Sequence, residues 1–185
     1  MSVIRPIYKG RIVDLRLEEV TLPNGVTATM EVVRHPGAAA VVALDSAGAV
    51  VLIRQFRHAA AGFIWEIPAG KLDAGEEPLC CAARELEEEV GLRAAEFSLL
   101  GSILTAPGFC DERIHLFLAR HLTAGTQRLE EDEVLSISRV PLSLALNMVR
   151  TGQIHDAKSI AGLFRAVDFL NLERGMGSDA GQVSC

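Results

Sequence analysis

At 185 residues the chain is a little longer than one average domain, so one core with an appendage is expected rather than two full domains. Hydrophobic residues make up 49% and charged residues 23%, which excludes a disordered, collagen-like or low-complexity chain. The formal charge of -6 argues against a protein that holds nucleic acid by neutralising phosphates, since that mode needs a basic surface.

The apolar runs Ala38 to Leu44 and Ala49 to Ile53 are strand length, far short of the ~20 residues that cross a bilayer, so no membrane association is expected. Charge appears within the first five residues and no apolar core with a small-residue cleavage site follows. A cytoplasmic protein is expected on that ground. Cysteines 80, 81, 110 and 185 show no C-x-x-C spacing, and histidines 35, 58, 115, 121 and 155 show no H-x-x-x-H pattern. A zinc site is therefore not expected.

In chain order, the first segment reads as a strand from Tyr8 to Leu17, a turn at Pro23-Asn24-Gly25 and a strand from Val26 to Val33, closed by Pro36-Gly37. It has too few large apolar side chains to bury a core alone, and so must lean on the main body or on a second chain. Ala39 to Leu44, the turn Asp45-Ser46-Ala47-Gly48 and Val50 to Phe56 give a hairpin signal. Phe63 to Ile67 reads as a strand stopped by Pro68, and Ala69 to Gly75 as a loop. A helix then starts at Pro78, carries apolar residues at Leu79, Ala83, Leu86 and Val90, and is capped by Gly91. Strands follow near Phe97 to Leu104, Arg113 to Ala119 and Val134 to Val140, with the acidic loop Glu130-Glu131-Asp132-Glu133 before the last. One helix runs from Pro141 to about Thr151-Gly152, a second from about Asp156 to Leu172, and Gly175 to Cys185 reads as a frayed tail. The mixture suggests an α/β fold with a sheet sandwiched by helices.

On the helix after Pro78, Glu85, Glu88 and Glu89 fall on one arc beside the apolar one. Like charges at this spacing cost a helix roughly 0.2–0.5 kcal/mol per pair, so a cation is expected against that face. Arg84 reaches Glu88 at i+4, but one guanidinium does not neutralise three glutamates. From Gly70 the sequence reads G-KLDAG-E-EPLCCAA-R-E-L-E-E-E-V-G-L, which is G-x5-E-x7-R-E-U-x-E-E-x-G-U with U apolar. A chance match is on the order of 10⁻⁹ per starting position at average residue usage. On this motif the chain resembles the Nudix hydrolases, which cleave nucleoside diphosphates linked to another group.

The resemblance implies a Nudix-type α/β/α sandwich with a mixed sheet, plus a small N-terminal antiparallel β piece. It also implies Mg²⁺ as cofactor, with Mn²⁺ a possible substitute: a hard cation shared between carboxylates, waters and substrate phosphates. Glu85 and Glu89 are then the principal metal ligands, with the Ala69 carbonyl, and Glu88 is a further ligand or catalytic neighbour. Arg84 becomes a strut for the acids, and Glu76 orders the loop. Cys81, four residues before Glu85, reads as a small spacer rather than a zinc ligand.

Arg54 to Arg57 (R-Q-F-R), Trp65 to Gly70 (W-E-I-P-A-G) and Ala106 to His115 (A-P-G-F-C-D-E-R-I-H) resemble the ADP-ribose pyrophosphatase group. That resemblance implies hydrolysis of ADP-ribose to AMP and ribose 5-phosphate. It also implies a homodimer that exchanges its N-terminal sheets, and substrate contacts at Arg54, Arg57, Glu66, Pro107, Gly108 and Glu112. Arg57 is the stronger of the two arginines. In the acidic loop, Glu131 aligns with the catalytic base and Glu133 with a metal-contacting position. The implied organisation is an exchanged β region over residues 1–36, the hydrolase domain over 37–173 and a flexible tail over 174–185. With one Trp and one Tyr, the chain has no pair of N-terminal tryptophans to sandwich adenine, and Ala106 stands where many relatives have serine. The alternatives are a pyrophosphatase for another nucleoside diphosphate sugar such as GDP-mannose, and a non-catalytic Nudix-fold ligand sensor. The sensor would be expected to lose box carboxylates, and here all are retained.

Overall fold

The structure is a computed structural model and describes residues 3–179. Three strands, β1 (Val3–Lys9), β2 (Asp14–Thr21) and β3 (Thr27–Arg34), form a separate antiparallel sheet in the order β1-β2-β3. The single strand expected over Tyr8 to Leu17 is broken here. Gly10 N–H donates to the Val13 carbonyl at 2.8 Å, and the chain reverses so that Lys9 pairs with Asp14. Gly10 allows this because a Cβ would come within 2.7 Å of the Tyr8 ring hydroxyl.

The main sheet contains β4 (Ala38–Leu44), β5 (Ala49–Arg57), β6 (Gly62–Glu66), β7 (Ala69–Lys71), β8 (Leu92–Leu104), β9 (Arg113–Ala124) and β10 (Leu135–Pro141). Its order is β10-β5-β4-β9-β8, with β6 on β5 and β7 on β4. Among the described strand pairs of this sheet only β4–β9 is parallel, so the sheet is mixed. Ala69 to Lys71, expected as loop, is a short strand because its backbone pairs with Ala38 to Ala40. That pairing holds Gly70 rigidly beside the acidic helix.

Three helices cover the sheet: α1 (Pro78–Val90), α2 (Leu142–Arg150) and α3 (Ala157–Asp179). Strand β4 is buried on both faces, and its alternation separates two cores. Ala38, Ala40 and Val42 pack with Ile67, Leu116, Met148 and Leu163 on the α2–α3 side. Ala39, Val41 and Ala43 pack with Cys81, Ala82, Leu86 and Val90 of α1 on the other. The arrangement is the expected α/β/α sandwich. Helix α3 continues beyond Leu172 to Asp179, so helix replaces the first part of the segment read as a frayed tail. The remainder of that segment lies outside the described residues. No described helix is long and apolar enough to cross a membrane.

The small sheet docks through β3. Val33 N–H donates to the Phe109 carbonyl at 2.7 Å, Asp111 N–H to the Val33 carbonyl at 3.2 Å, and Arg34 bridges Glu18 and Asp111. Ile4, Ile7, Tyr8, Ile12 and Val26 remain exposed on it.

Candidate active site

The site is built around α1. Pro78 occupies its first turn, where no N–H is needed, and Gly91 ends it at φ +68°, donating to the Glu87 and Leu86 carbonyls. Register along this helix turns Glu85 and Glu89 inward, to 8% and 1% exposure, towards β7. Each is a carboxylate in a poorly hydrated place. Burial pushes Glu89 up to about 8, partly offset by the Ala69 N–H, which donates to its Oε2 at 2.9 Å. Burial raises Glu85 as well, against the neighbouring Arg84.

Arg84 holds the acids together. It reaches Glu76 from Nε and Nη2 at 2.9 Å each, Glu85 at 2.7 Å and Glu88 at 3.1 Å from Nη1, and the Lys71 carbonyl at 3.0 Å. Glu76 also accepts from Asp73 N–H, which ties the loop before α1 to its arginine. Cys81 lies under this cluster, its Sγ 3.4 Å from the Lys71 carbonyl; burial, then the Glu85 charge, pushes its thiol up to about 12. An unionised thiol suits a spacer better than a metal ligand.

The Arg84 hydrogen bonds draw Glu76 down to about 2 from its ordinary 4.5. A depressed folded-state value means that the ion pair adds stability above pH about 4.5 and loses it as pH falls towards 2. Thermal melts of wild type and Glu76→Gln should therefore differ most near pH 6 and converge below pH 3. A gap that stays constant over that range would show that the charge contributes nothing.

These acids form one wall of a cleft of about 740 Å³. Arg57, Glu66, Glu112, His35, Lys158 and Glu133 are among the residues that complete it. Arg57 Nε bonds Glu66 at 2.8 Å, and Glu112 accepts from the Thr105 hydroxyl at 2.8 Å with His35 Nδ1 3.5 Å away. Glu133 stands close enough to Glu85 and Glu89 to raise both by repulsion.

Of the residues singled out from the sequence, the structure gathers Arg57, Glu66, Ala69, Glu85, Glu88, Glu89, Glu112 and Glu133 around this cleft. Four are elsewhere. Arg54 faces away from Gln55 and Arg57, as strand alternation requires, and stacks 5.4 Å over the Phe63 ring. Pro107 and Gly108 line a separate hollow of about 470 Å³ with Met30, Val32 and Phe109, because the 106–110 turn packs back on β3. Glu131 is exposed and does not line the cleft, although its neighbours Glu130, Asp132 and Glu133 do, in a turn closed by Glu133 N–H to the Glu130 carbonyl at 3.1 Å. Lys158, Asp156 and Gln55 line the cleft without having been singled out. A lysine in the first turn of a helix opposes the helix dipole, and that was the signal for Lys158.

Two observations bear on whether the donor set fits a divalent cation. Glu89 is a buried acid whose carboxylate has, among the described residues, one backbone N–H as its only hydrogen-bond partner, and a Cβ on Gly70 would fall 1.9 Å from Glu85 Oε1, so the glycine leaves that carboxylate its space. Hard oxygen donors one helical turn apart suit Mg²⁺-like ions. Among the described residues no three His, Cys, Asp or Glu side chains converge on one point, so such an ion would complete its shell with backbone, water and ligand oxygens. The residues fit the group.

A family model described as the NUDIX domain matches residues 33–163. The chain belongs to the Nudix family. An ADP-ribose pyrophosphatase of Bacillus subtilis (strain 168) is 41% identical over 172 residues, covering 92% of this chain and 91% of the relative. A methanol dehydrogenase activator of Bacillus methanolicus has the same identity and coverage. A GDP-mannose pyrophosphatase of Escherichia coli O1:K1 / APEC is 36% identical over 149 residues, covering 70% of this chain and 76% of the relative. Among solved structures, an ADP compounds hydrolase superposes with a TM-score of 0.80 at 23% identity, covering 92% of this chain and 93% of that one, which shows the fold. The protein is a Nudix hydrolase with an intact box and a small-molecule cleft.

Proposed function

We propose that this Nudix hydrolase cleaves the pyrophosphate bond of ADP-ribose with Mg²⁺, water adding to one phosphorus to release AMP and ribose 5-phosphate. The observation that carries this reading is a cleft lined by both the box carboxylates and Arg57. An anionic diphosphate needs both: carboxylates to hold a cation, and a guanidinium to take phosphate oxygens. Glu85 and Glu89, with the Ala69 carbonyl, would hold Mg²⁺, which when bound would supply charge neutralisation at the diphosphate and a more acidic water. Arg57 orients the diphosphate, and Glu66 holds Arg57. Glu112 accepts from a ribose hydroxyl. The proton of the attacking water goes to an acid of the 130–133 loop. Glu131 takes that role when the loop folds over substrate, and Glu133, already beside Glu85 and Glu89, adds to the metal site.

The exposed apolar residues of the N-terminal sheet support a homodimer in which residues 1–36 exchange between subunits around the 37–173 domain. A cytoplasmic location goes with the nucleotide substrate.

The test is product detection from ADP-ribose, ADP-glucose, GDP-mannose and NADH with Mg²⁺, Mn²⁺ or EDTA. AMP and ribose 5-phosphate from ADP-ribose in preference to the others, abolished by EDTA, is the expected result. Quantitative turnover of GDP-mannose without ADP-ribose cleavage would give the function to the second reading, which the 36% identical relative favours. Two loop variants separate the acids. Glu131→Gln should lower kcat about 10²-fold, in the range of general-base catalysis, and leave the rise in melting temperature with Mn²⁺ intact. Glu133→Gln should reduce that rise.

A further inference from the structure

A buried lysine costs free energy unless it is paired, and the first turn of a helix is an unfavourable place for a cation. Lys158, the second residue of α3, is only 9% exposed. Its ammonium bonds Glu66 Oε1 and lies 3.1 Å from Asp156 Oδ2. Glu66, at the end of β6 and 3% exposed, accepts from Arg57 Nε at its other oxygen, Oε2, at 2.8 Å. Arg57 is 41% exposed, and among the described residues its terminal amino groups make no hydrogen bond within the protein. The pairs form one line, Lys158 to Glu66 to Arg57, from the start of α3 to the cleft. A parallel tie fixes the same turn: Ser159 Oγ accepts from Ile67 N–H at 2.8 Å and donates to Asp156 Oδ2 at 2.5 Å.

We propose that Lys158 is a positioning residue for substrate: by occupying one oxygen of Glu66 it confines Arg57 to a single Nε contact and leaves both terminal amino groups free for the substrate diphosphate. The proposal rests on the reading of the cleft as a nucleoside-diphosphate site. A guanidinium beside a carboxylate with two free oxygens prefers the bidentate fork. Without the ammonium, Arg57 would close that fork on Glu66 and turn away from the cleft. Charge acts in the same direction. Lys158 and Arg57 balance Glu66 and Asp156, so loss of the lysine leaves one uncompensated negative charge beside an anionic ligand.

The experiment measures KM and kcat for ADP-ribose with Mg²⁺ in wild type, Lys158→Met, Lys158→Arg, Glu66→Gln and the double variant Lys158→Met/Glu66→Gln, with thermal melts as the control for folding. Lys158→Met should raise KM about tenfold while kcat stays within about threefold, the pattern of lost binding rather than lost chemistry. Lys158→Arg should restore most of the affinity. In the Glu66→Gln background the lysine change should add less than about twofold, because the residue through which it acts is already neutral. An unchanged KM in folded Lys158→Met, or the full tenfold loss in the Glu66→Gln background, would overturn the proposal. If Lys158→Met fails to fold, the double variant, in which Glu66 is neutral and Asp156 keeps its Ser159 donors, is compared with Glu66→Gln, and a loss above about twofold overturns the proposal. Should wild type cleave GDP-mannose and not ADP-ribose, the substrate reading fails, and the same cycle run on GDP-mannose still judges Lys158.

Discussion

Glu89→Gln is expected to lose about 10²–10³-fold in turnover and yet to melt several degrees above wild type when both proteins are stripped of metal at pH 8. The first effect follows from the role proposed for Glu89, since removing one strong electrostatic contact to the reacting centre costs rates of that order. The second follows from burial. At 1% exposure, with one backbone N–H as partner, the Glu89 carboxylate is displaced from 4.5 up to about 8. A raised folded-state value leaves stability intact below pH about 4.5 and removes it as pH rises through 8. The glutamine carries no such cost, and its amide oxygen still accepts from Ala69. For a domain of this size each kcal/mol moves the melting temperature by about 2–4 °C. Mg²⁺ or Mn²⁺ should reverse the order, because an ion bound only to the folded wild type stabilises it by mass action. A metal-free glutamine variant that melts below wild type at pH 8 would refute the argument.

Gly70→Ala should separate folding from activity in the other direction. The new methyl group would lie 1.9 Å from Glu85 Oε1 and 2.1 Å from its carboxyl carbon. Those atoms end a flexible side chain, so the backbone of β7 need not shift, and the melting temperature in EDTA should change by only a few degrees. The carboxylate itself must leave. We expect kcat to fall about 10²-fold, as for a catalytic group displaced by about 1 Å, and the Mn²⁺-induced rise in melting temperature to shrink. Gly62→Ala, where a Cβ meets nothing within 4 Å, serves as the control. Equal loss of activity in both variants would mean that the loss does not come from displacing Glu85.

The acidic helix was legible because its spacing carries the chemistry: the Arg84, Glu85, Glu88 and Glu89 pattern needs only a helical period to be read. The hairpin of β4 and β5 and the cap at Gly91 were legible for the same reason, being set by local turn chemistry. What escaped depends on distant partners. β7 is a strand only because Ala38 to Ala40 pair with it, and nothing in A-G-K has strand character. Lys158 faces Glu66 across 92 positions of sequence, so no local window contains both. Pro107 and Gly108 were placed by motif resemblance, but which hollow their turn lines depends on its docking against Val33. Glu133 lines the cleft as its alignment with a metal-contacting position implied, whereas Glu131, two residues away in a polar loop, does not, and which acids of that loop reach the cleft depends on the fold.

The segment that carries those two acids is held at both ends. Arg128 N–H donates to the Glu88 carbonyl at 2.9 Å, and Phe56 N–H to the Val134 carbonyl at 2.9 Å. The span between these anchors is residues 129 to 133, and Asp132 within it is tied to Arg11 at 2.6 Å, so Glu131 swings over the cleft only when that ion pair opens, which costs little because the pair is exposed to solvent.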